Sequence, residues 1–176
     1  RPFKFEGARH TRQAMAGIEE LREVCDTLIV IPNDRLMQLG GEELSIVEAF
    51  RAADEVLHNG VQGITNLITI PGMINVDFAD VRTVMNEMGL AMMGTGAARG
   101  DDRAQAAAEA AIQNPLLDDV NLDGANGILV NITAGPDLTM AEFDEIGRVV
   151  GEFAAEDATV VIGTALDPDM QDEVKV

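Results

Sequence analysis

The sequence predicts an α/β fold in which one long helix leads into a layer of helices packed on a mixed sheet. A capped apolar pattern over residues 45–69 repeats at helical steps. After residue 77, helical patterns alternate with short apolar runs that are typical of strands. Hydrophobic residues make up 47% of the 176-residue chain, which is enough for a packed core.

The first half of the chain predicts two helices and a strand. A helical pattern covers residues 8–24, and the continuous apolar run 27–31, ended by Pro32, predicts a short strand buried on both faces. Ser45 and Glu48 form a capping box at the start of the long helix, whose length of roughly 37 Å is typical of a helix that connects two packed units. Its apolar stripe consists of Ile46, Phe50, Ala53, Leu57, Val61, Ile64 and Leu67.

The second half predicts alternating strands and helices. Strands are expected at residues 90–93, 127–133 and 159–163, and a further strand begins at 173. An Ala-rich helix is expected over residues 101–113, and Thr139 with Glu142 forms a second capping box that opens another helix. Gly94-Thr-Gly96 is interpreted as a strand-to-helix turn, because its spacing matches neither G-x-G-x-x-G nor a Walker motif.

Composition excludes several classes of function. The net charge of −19, from 12 basic and 31 acidic residues, repels nucleic acid and anionic lipid. No apolar run is long enough for a membrane span. Cys25 is the single cysteine, so the chain has no disulfide framework, which indicates a reducing cytoplasm. Its side chain is expected to be a small buried filler. His10 and His58 lack the spacing of a metal site.

Residues 71–81, Pro-Gly-Met-Ile-Asn-Val-Asp-Phe-Ala-Asp-Val, form the most informative stretch. Asp77 and Asp80 precede a helical apolar run, so they are the expected N-cap and N3 residues of a helix. Two carboxylates fixed at a helix start can also polarise a water molecule aimed at a substrate on a neighbouring molecule. Local sequence favours the capping interpretation. The apolar run consists of Val81, Val84, Met85 and Met88.

Several segments, in order and with matched spacing, together resemble the FtsZ family of tubulin-like cell-division GTPases. The resemblance covers essentially the whole chain and includes the catalytic loop of that family, at Asn75-Val-Asp-Phe-Ala-Asp80. The other segments are Arg1-Pro-Phe-Lys-Phe-Glu-Gly7, Ile31-Pro-Asn-Asp-Arg-Leu36, Ala49-Phe-Arg-Ala-Ala-Asp-Glu-Val-Leu57, Asn131-Ile-Thr-Ala-Gly135 and Gly163-Thr164.

The resemblance implies roles for residues that face a guanine nucleotide. Glu6 is expected to bind the ribose hydroxyls, and Asp54 to accept from guanine N1 and N2. Asn33 is expected near the base or ribose. Phe50 lies one turn before Asp54 and either stacks on the base or packs in the core. His10 stands where the family usually has Arg.

The resemblance also implies a catalytic role for the loop. Asp77 and Asp80 would activate or orient a water that attacks the phosphates of GTP in the next subunit, and Asn75 would shape the loop. GTP and GDP are the expected ligands, with Mg²⁺ in the full-length protein. Expected partners are further subunits joined head to tail and other division proteins, at the mid-cell division ring in the cytoplasm, without nucleic acid or membrane insertion.

The resemblance implies three parts of the chain. Residues 1–44 would end a GTP-binding domain, 45–71 would be the central connecting helix, and 72–176 a GTPase-activating domain cut within its last strand. The family's phosphate loop, Gly-Gly-Gly-Thr-Gly-Thr-Gly, occurs nowhere in the sequence. We therefore expect an internal part of a longer protein that alone binds no nucleotide and hydrolyses no GTP. The alternatives are a non-enzymatic domain that caps or regulates such filaments and an unrelated α/β small-molecule enzyme.

Overall fold

The computed structural model of the chain describes residues 1–40, 45–86, 89–117 and 125–176. Its α-helices are α1 (Ala8–Val24), α2 (Asn33–Gly40), α3 (Ile46–Thr69), α4 (Phe78–Met85), α5 (Arg103–Ile112) and α6 (Met140–Gly151). Its strands are β1 (Thr27–Ile29), β2 (Gly89–Ala91), β3 (Ala97–Arg99), β4 (Ala125–Ala134), β5 (Ala154–Leu166) and β6 (Glu173–Lys175). Met88 and the end of the first expected domain, residues 41–44, lie outside the described residues. In the described part of the chain, no helix combines the length and apolar character of a membrane span.

The strands form a mixed sheet, which confirms the predicted α/β class. In the order β3-β6-β4-β5, β4 and β5 are parallel, whereas β6 runs antiparallel to both of its neighbours. The parallel pair is joined through α6, so β4, α6 and β5 form a βαβ unit. A second, two-stranded sheet pairs β1 with β2 in parallel, from Thr27 opposite Gly89 to Ile29 opposite Ala91.

The main core lies between the four-stranded sheet and the helices α5 and α6. Alanines on one face of α5 keep that helix close to α6 and the sheet. Ile132 of β4 and Ile146 of α6 are completely buried, as is Val174 of β6. The core also contains Ala104, Ala107, Ala108, Val130, Ala134, Leu138, Val149 and Val150.

Residues 94–96 correct the prediction of a strand-to-helix turn. They connect β2 to β3, and Gly96 exchanges two backbone hydrogen bonds with Val176 (2.9 and 2.8 Å). A Cβ on Gly94 would lie 2.1 Å from the carbonyl oxygen of Ala111, and one on Gly96 would lie 2.2 Å from that of Ala107. These glycines therefore allow the backbone to pass directly against α5.

Arg103, the first residue of α5, ties three segments together. Its side chain is 6% exposed and forms ion pairs with Asp137 and Glu142, each at 2.6 Å. Oδ2 of Asp137, which accepts from Arg103, also accepts from the amide of Asp172 (3.3 Å). Hydrogen bonds from Arg103 hold the pKa of both carboxyls below their ordinary values and raise the pKa of the guanidinium itself.

The long helix α3 begins with the predicted capping box. The backbone amide of Glu48 donates to the hydroxyl of Ser45 (3.3 Å), and the amide of Ser45 donates to the carboxylate of Glu48 (2.8 Å). Its first half packs on α2 through Ala53, and its second half packs on β4 and β5 around Leu67. The helix therefore contacts a different group of elements at each end.

The apolar stripe of α3 is buried less than expected. Ile46, Leu57 and Val61 are exposed at 64%, 57% and 68%. Within the described ranges, the elements that pack on α3 bury Ala53 and Leu67 of the stripe, together with Ala49, and leave the three exposed side chains open. Helical spacing thus identifies an apolar face but not whether another element covers it.

Three further expectations at the start of the chain are corrected. The strand at 27–31 is limited to β1, and Ile29 is exposed, so this strand is not buried on both faces. Cys25 is exposed rather than buried, since it ends α1, a helix without buried residues. No helix was expected between Pro32 and Ser45, but α2 begins at Asn33.

Candidate functional site

Residues 70–80, which we call the acidic loop, connect the end of α3 to the start of α4 and include the first turn of α4. The last turn of α3 is closed by a hydrogen bond from the amide of Ile70 to the carbonyl oxygen of Asn66 (2.9 Å), and Pro71 then prevents the helix from continuing. Oδ1 of Asn75 accepts from the amide of Gly72 (2.9 Å) and closes a tight turn. Asn75 thus shapes the loop, which is compatible with the role expected for it.

Asp77 and Asp80 form a reciprocal capping box at the start of α4. Oδ1 of Asp77 accepts from the amide of Asp80 (2.9 Å), and Oδ2 of Asp80 accepts from the amide of Asp77 (3.2 Å). The capping interpretation of the sequence is therefore confirmed. Capping uses one oxygen of each carboxylate, and within the described residues no hydrogen bond reaches the other oxygen.

The acidic loop faces an open cleft of about 510 Å³. Val76 is buried and anchors the loop, while Asn75, Asp77 and Asp80 are all exposed. The residues that line the cleft carry no positive charge, so a phosphate group has no counter-charge there. They are Ile68, Thr69, Ile70, Pro71, Asn75, Val76, Asp77, Phe78 and Asp80. Such a surface can accept a proton from water but needs phosphates that are held by other groups.

The opening loop brings two expected nucleotide-facing residues together. The carboxylate of Glu6 accepts from the amide of Phe3 (2.8 Å), and Glu6 is half-buried. Nδ1 of His10 donates to the carbonyl oxygen of Glu6 (2.9 Å), so His10 lies one helical turn after Glu6. The two side chains thus share one end of α1.

Phe50 joins this group through an aromatic cluster. Its ring meets Phe3 edge-on at 5.4 Å and Phe5 at 6.0 Å, and the rings of Phe3 and Phe5 stack at 4.9 Å. Phe3 is fully buried, whereas Phe50 remains 42% exposed. Phe50 thus packs on a buried ring but is itself exposed and lies in none of the described core clusters, so core packing and base stacking both stay predictions.

Asn33 and Asp54 complete the group around the opening loop. Asn33 begins α2, is half-buried, and its amide donates to the carbonyl oxygen of Arg1 (3.3 Å). Asp54 is exposed one turn after Phe50 on the same face of α3. Contacts thus link the segments that carry Glu6, His10, Asn33 and Phe50 near the start of α3, and Asp54 lies one turn further along. Because the family resemblance predicts that these five residues face the nucleotide, we call them the base-facing group.

The acidic loop lies at the opposite end of α3 from the base-facing group. From Asp54 and Phe50 to its last residue, the helix extends about 22 to 28 Å. A nucleotide that contacts one group within a chain therefore cannot reach the other group of the same chain. If both groups act on one nucleotide, they must come from two molecules.

Sequence reasoning missed the residue that fixes the acidic loop. Thr164 of β5 is 3% exposed, and its backbone and side chain both bond to Ile74. The two residues are 90 positions apart, so no local pattern could have paired them. In the sequence, Gly163-Thr164 is only one of the segments that resemble the family, and nothing there links Thr164 to Ile74.

Comparisons with known proteins agree with these observations. The FtsZ family, C-terminal domain, matches residues 89–176. The cell division protein FtsZ of Pseudomonas aeruginosa is 57% identical over 176 residues, which is all of this chain and 45% of that protein. The protein of the same name from Coxiella burnetii is also 57% identical over 176 residues, which is 46% of its length. The chain thus spans less than half the length of these relatives.

The structural comparison gives the same result. The structure of an empty FtsZ dimer from M. jannaschii superposes with a TM-score of 0.92 at 42% identity, over 99% of this chain and 50% of that chain. The similarity therefore extends through α3 and both sheets rather than being limited to the matched residues 89–176.

Proposed function

This chain belongs to the FtsZ family of cell-division proteins, and on that premise we propose that it supplies the catalytic loop for GTP hydrolysis in a neighbouring subunit. The observation that carries the proposal is the position of the acidic loop beyond the last turn of α3, about 22 to 28 Å along the helix from Asp54 and Phe50 of the base-facing group. Two subunits stacked head to tail bring the loop of one to the nucleotide of the next. The related M. jannaschii structure is that of a dimer.

The chemistry follows from the unused oxygens of the acidic pair. Asp77 and Asp80 orient a water molecule and accept its proton, and the water oxygen forms a bond to the γ-phosphorus of GTP. The bond between this phosphorus and the bridging oxygen breaks, which yields GDP and inorganic phosphate. Because the capping box fixes both carboxylates on a rigid helix start, the water is aimed without a further conformational change.

The base-facing group acts on the nucleotide of its own subunit. Asp54 accepts hydrogen bonds from guanine N1 and N2, Glu6 and Asn33 contact the ribose or base, and Phe50 stacks with its exposed edge. His10 contributes at the ribose end. Phosphate binding, with Mg²⁺, is expected of other parts of the full-length protein, since the Gly-rich phosphate loop of the family does not occur in this sequence.

The expected assembly is an open filament in the cytoplasm at the division ring. Head-to-tail contacts use two different surfaces of each subunit, so they continue without closing. Residues 1–44 would form the end of the nucleotide domain. Residues 72–176 would form the activating domain, and α3 would join the two. Other division proteins would bind this filament.

The test uses a chimera in which this chain replaces the 176 matching residues of the Pseudomonas aeruginosa relative. Asp80→Asn keeps the size and capping capacity of the side chain but removes its charge. We expect GTP turnover to fall by about 10²- to 10⁴-fold, with GTP binding and filament assembly retained. Phosphate release, nucleotide titration and light scattering measure the three properties.

Glu142→Gln is the matched control, because Glu142 is the acid of the capping box at α6. It should leave turnover unchanged. Wild-type turnover in the Asp80→Asn chimera would refute the catalytic role of Asp80. Filaments of the unmodified chimera that bind GTP without hydrolysing it would favour the non-enzymatic filament-regulating domain.

A further inference from the structure

In the described part of the chain, the hydrogen bonds that join the acidic loop to the sheet all involve Thr164. The amide of Thr164 donates to the carbonyl oxygen of Ile74 (2.9 Å), and the amide of Ile74 donates to Oγ1 of Thr164 (2.9 Å). The Thr164 hydroxyl also donates to the carbonyl oxygen of Ile74 (3.4 Å). Both backbone groups of Ile74 are therefore satisfied by Thr164.

Thr164 is itself held rigidly. It lies in β5 opposite Ile132 of β4, which is completely buried in the main core. Threonine is branched at Cβ, so its side chain has few accessible rotamers in a strand. The hydroxyl therefore has a fixed direction relative to the sheet.

The loop and β5 also pack closely against each other at two glycines. A Cβ on Gly72 would lie 1.8 Å from the carbonyl oxygen of Thr164. A Cβ on Gly163 would lie 2.4 Å from Cγ2 of Val76. The loop therefore cannot shift along β5 without breaking the bonds between Thr164 and Ile74.

Ile74 lies between the parts of the loop that carry the proposed chemistry. The turn closed by Asn75 surrounds it on one side, and buried Val76 leads directly into Asp77 on the other. The direction in which the chain leaves Ile74, together with the packing of α4 on β4 and β5, therefore sets where the start of α4, with Asp77 and Asp80, points.

We propose that Thr164 is a positioning residue for GTP hydrolysis, which fixes Ile74 and thereby aims Asp77 and Asp80 at the nucleotide of the next subunit. The proposal rests on the proposed function of the acidic pair. Thr164 touches no substrate. A displacement of about 1 Å in a catalytic group lowers a rate by up to about 100-fold, so loss of this attachment has a measurable cost.

The test compares three substitutions in the chimera. Thr164→Val keeps the shape but removes the hydroxyl, and should lower the turnover number roughly 10- to 100-fold while GTP affinity stays unchanged. Thr164→Ser keeps the hydroxyl and should restore turnover to within about threefold of the unmodified chimera. Thr133→Val is the matched control, since Thr133 lies on the neighbouring strand β4 opposite Ala165 and no described hydrogen bond joins its hydroxyl to the loop.

Hydrogen exchange gives a readout that is independent of turnover. The amides of residues 72–76 should exchange faster in Thr164→Val than in Thr164→Ser or Thr133→Val, while the amides of β4 keep their protection. Should Thr164→Val fail to fold, Thr164→Ala serves as the second variant, because its smaller side chain lets solvent reach the amide of Ile74.

The outcomes separate this inference from the function on which it rests. If Asp80→Asn abolishes turnover while Thr164→Val and Thr164→Ala retain it, the positioning role is refuted and the proposed function stands. If Asp80→Asn retains turnover, both are refuted. Equal losses in Thr164→Val and Thr164→Ser, without faster exchange in the loop, would also overturn the positioning role.

Discussion

The helices α4 and α6 begin with the same capping box, yet their acidic residues have different surroundings. At α4, Asp77 and Asp80 exchange hydrogen bonds of 2.9 and 3.2 Å. At α6, the hydroxyl of Thr139 accepts from the amide of Glu142 (3.2 Å), and the carboxylate of Glu142 accepts from the amide of Thr139 (2.7 Å). The local bonds that start the two helices are therefore equivalent.

The difference lies in what else the acid contacts. Glu142 is 17% exposed and also accepts hydrogen bonds from Arg103, whereas Asp80 is exposed beside an open cleft. One acid is held in a structural ion pair, and the other keeps an oxygen available to solvent. A capping box thus fixes an acid in space, and its tertiary neighbours decide whether it is free for chemistry.

Removing Arg103 should have the largest effect on the difference between the two acids, because Arg103 is what holds Glu142 in an ion pair. Arg103→Met should lower the free energy of unfolding by about 1 to 3 kcal/mol, because Glu142 and Asp137 lose a charged donor while remaining partly solvated. Urea unfolding of the chain measures the change. Arg148→Met, which breaks an exposed pair with Glu152, should cost less than about 0.5 kcal/mol. Equal losses would show that Arg103 is no more important than a surface residue.

The contribution of Arg103 should also depend on pH. Hydrogen bonds from Arg103 lower the pKa of Glu142 from its ordinary value of 4.5 and that of Asp137 from 3.8. The stability that Arg103 adds is therefore complete above these ordinary values and is lost as the pH falls through the lowered ones. In unfolding measured from pH 7 to pH 3, the gap between the chain and Arg103→Met should be constant above about pH 5 and narrow below it. A gap that widens in acid would contradict this.

The smallest expected effect comes from removing the N-cap residue of each capping box, which tests whether the two boxes stabilise their helices equally. Asp77→Ala and Thr139→Ala should each lower the free energy of unfolding by about 1 kcal/mol, because each removes one N-cap acceptor. Asp77→Asn should stay within about 0.5 kcal/mol of the unmodified chain, since Asn caps as well as Asp. The same urea titrations provide the measurement. A much larger cost at Asp77 would mean that its carboxylate makes stabilising contacts beyond the cap.

The sequence by itself determined the features that depend on neighbours three or four residues apart. All three capping boxes, at Ser45, Asp77 and Thr139, lie where it predicts them, because each joins residues three positions apart. The alternation after residue 77 also predicts the helices on a mixed sheet. The order of short motifs was enough to indicate the family.

Only the tertiary structure decided which surfaces are covered and which distant residues meet. Arg103 reaches partners 34 and 39 positions away, and Thr164 reaches one 90 positions away. Likewise, an apolar run predicts burial of Ile29 and helical periodicity predicts burial of the whole α3 stripe, but Ile29 and part of the stripe stay exposed because no described element packs on them. Local hydrogen bonds are encoded within one turn of chain, whereas burial and long-range pairing depend on how the elements assemble, and no short pattern records that assembly.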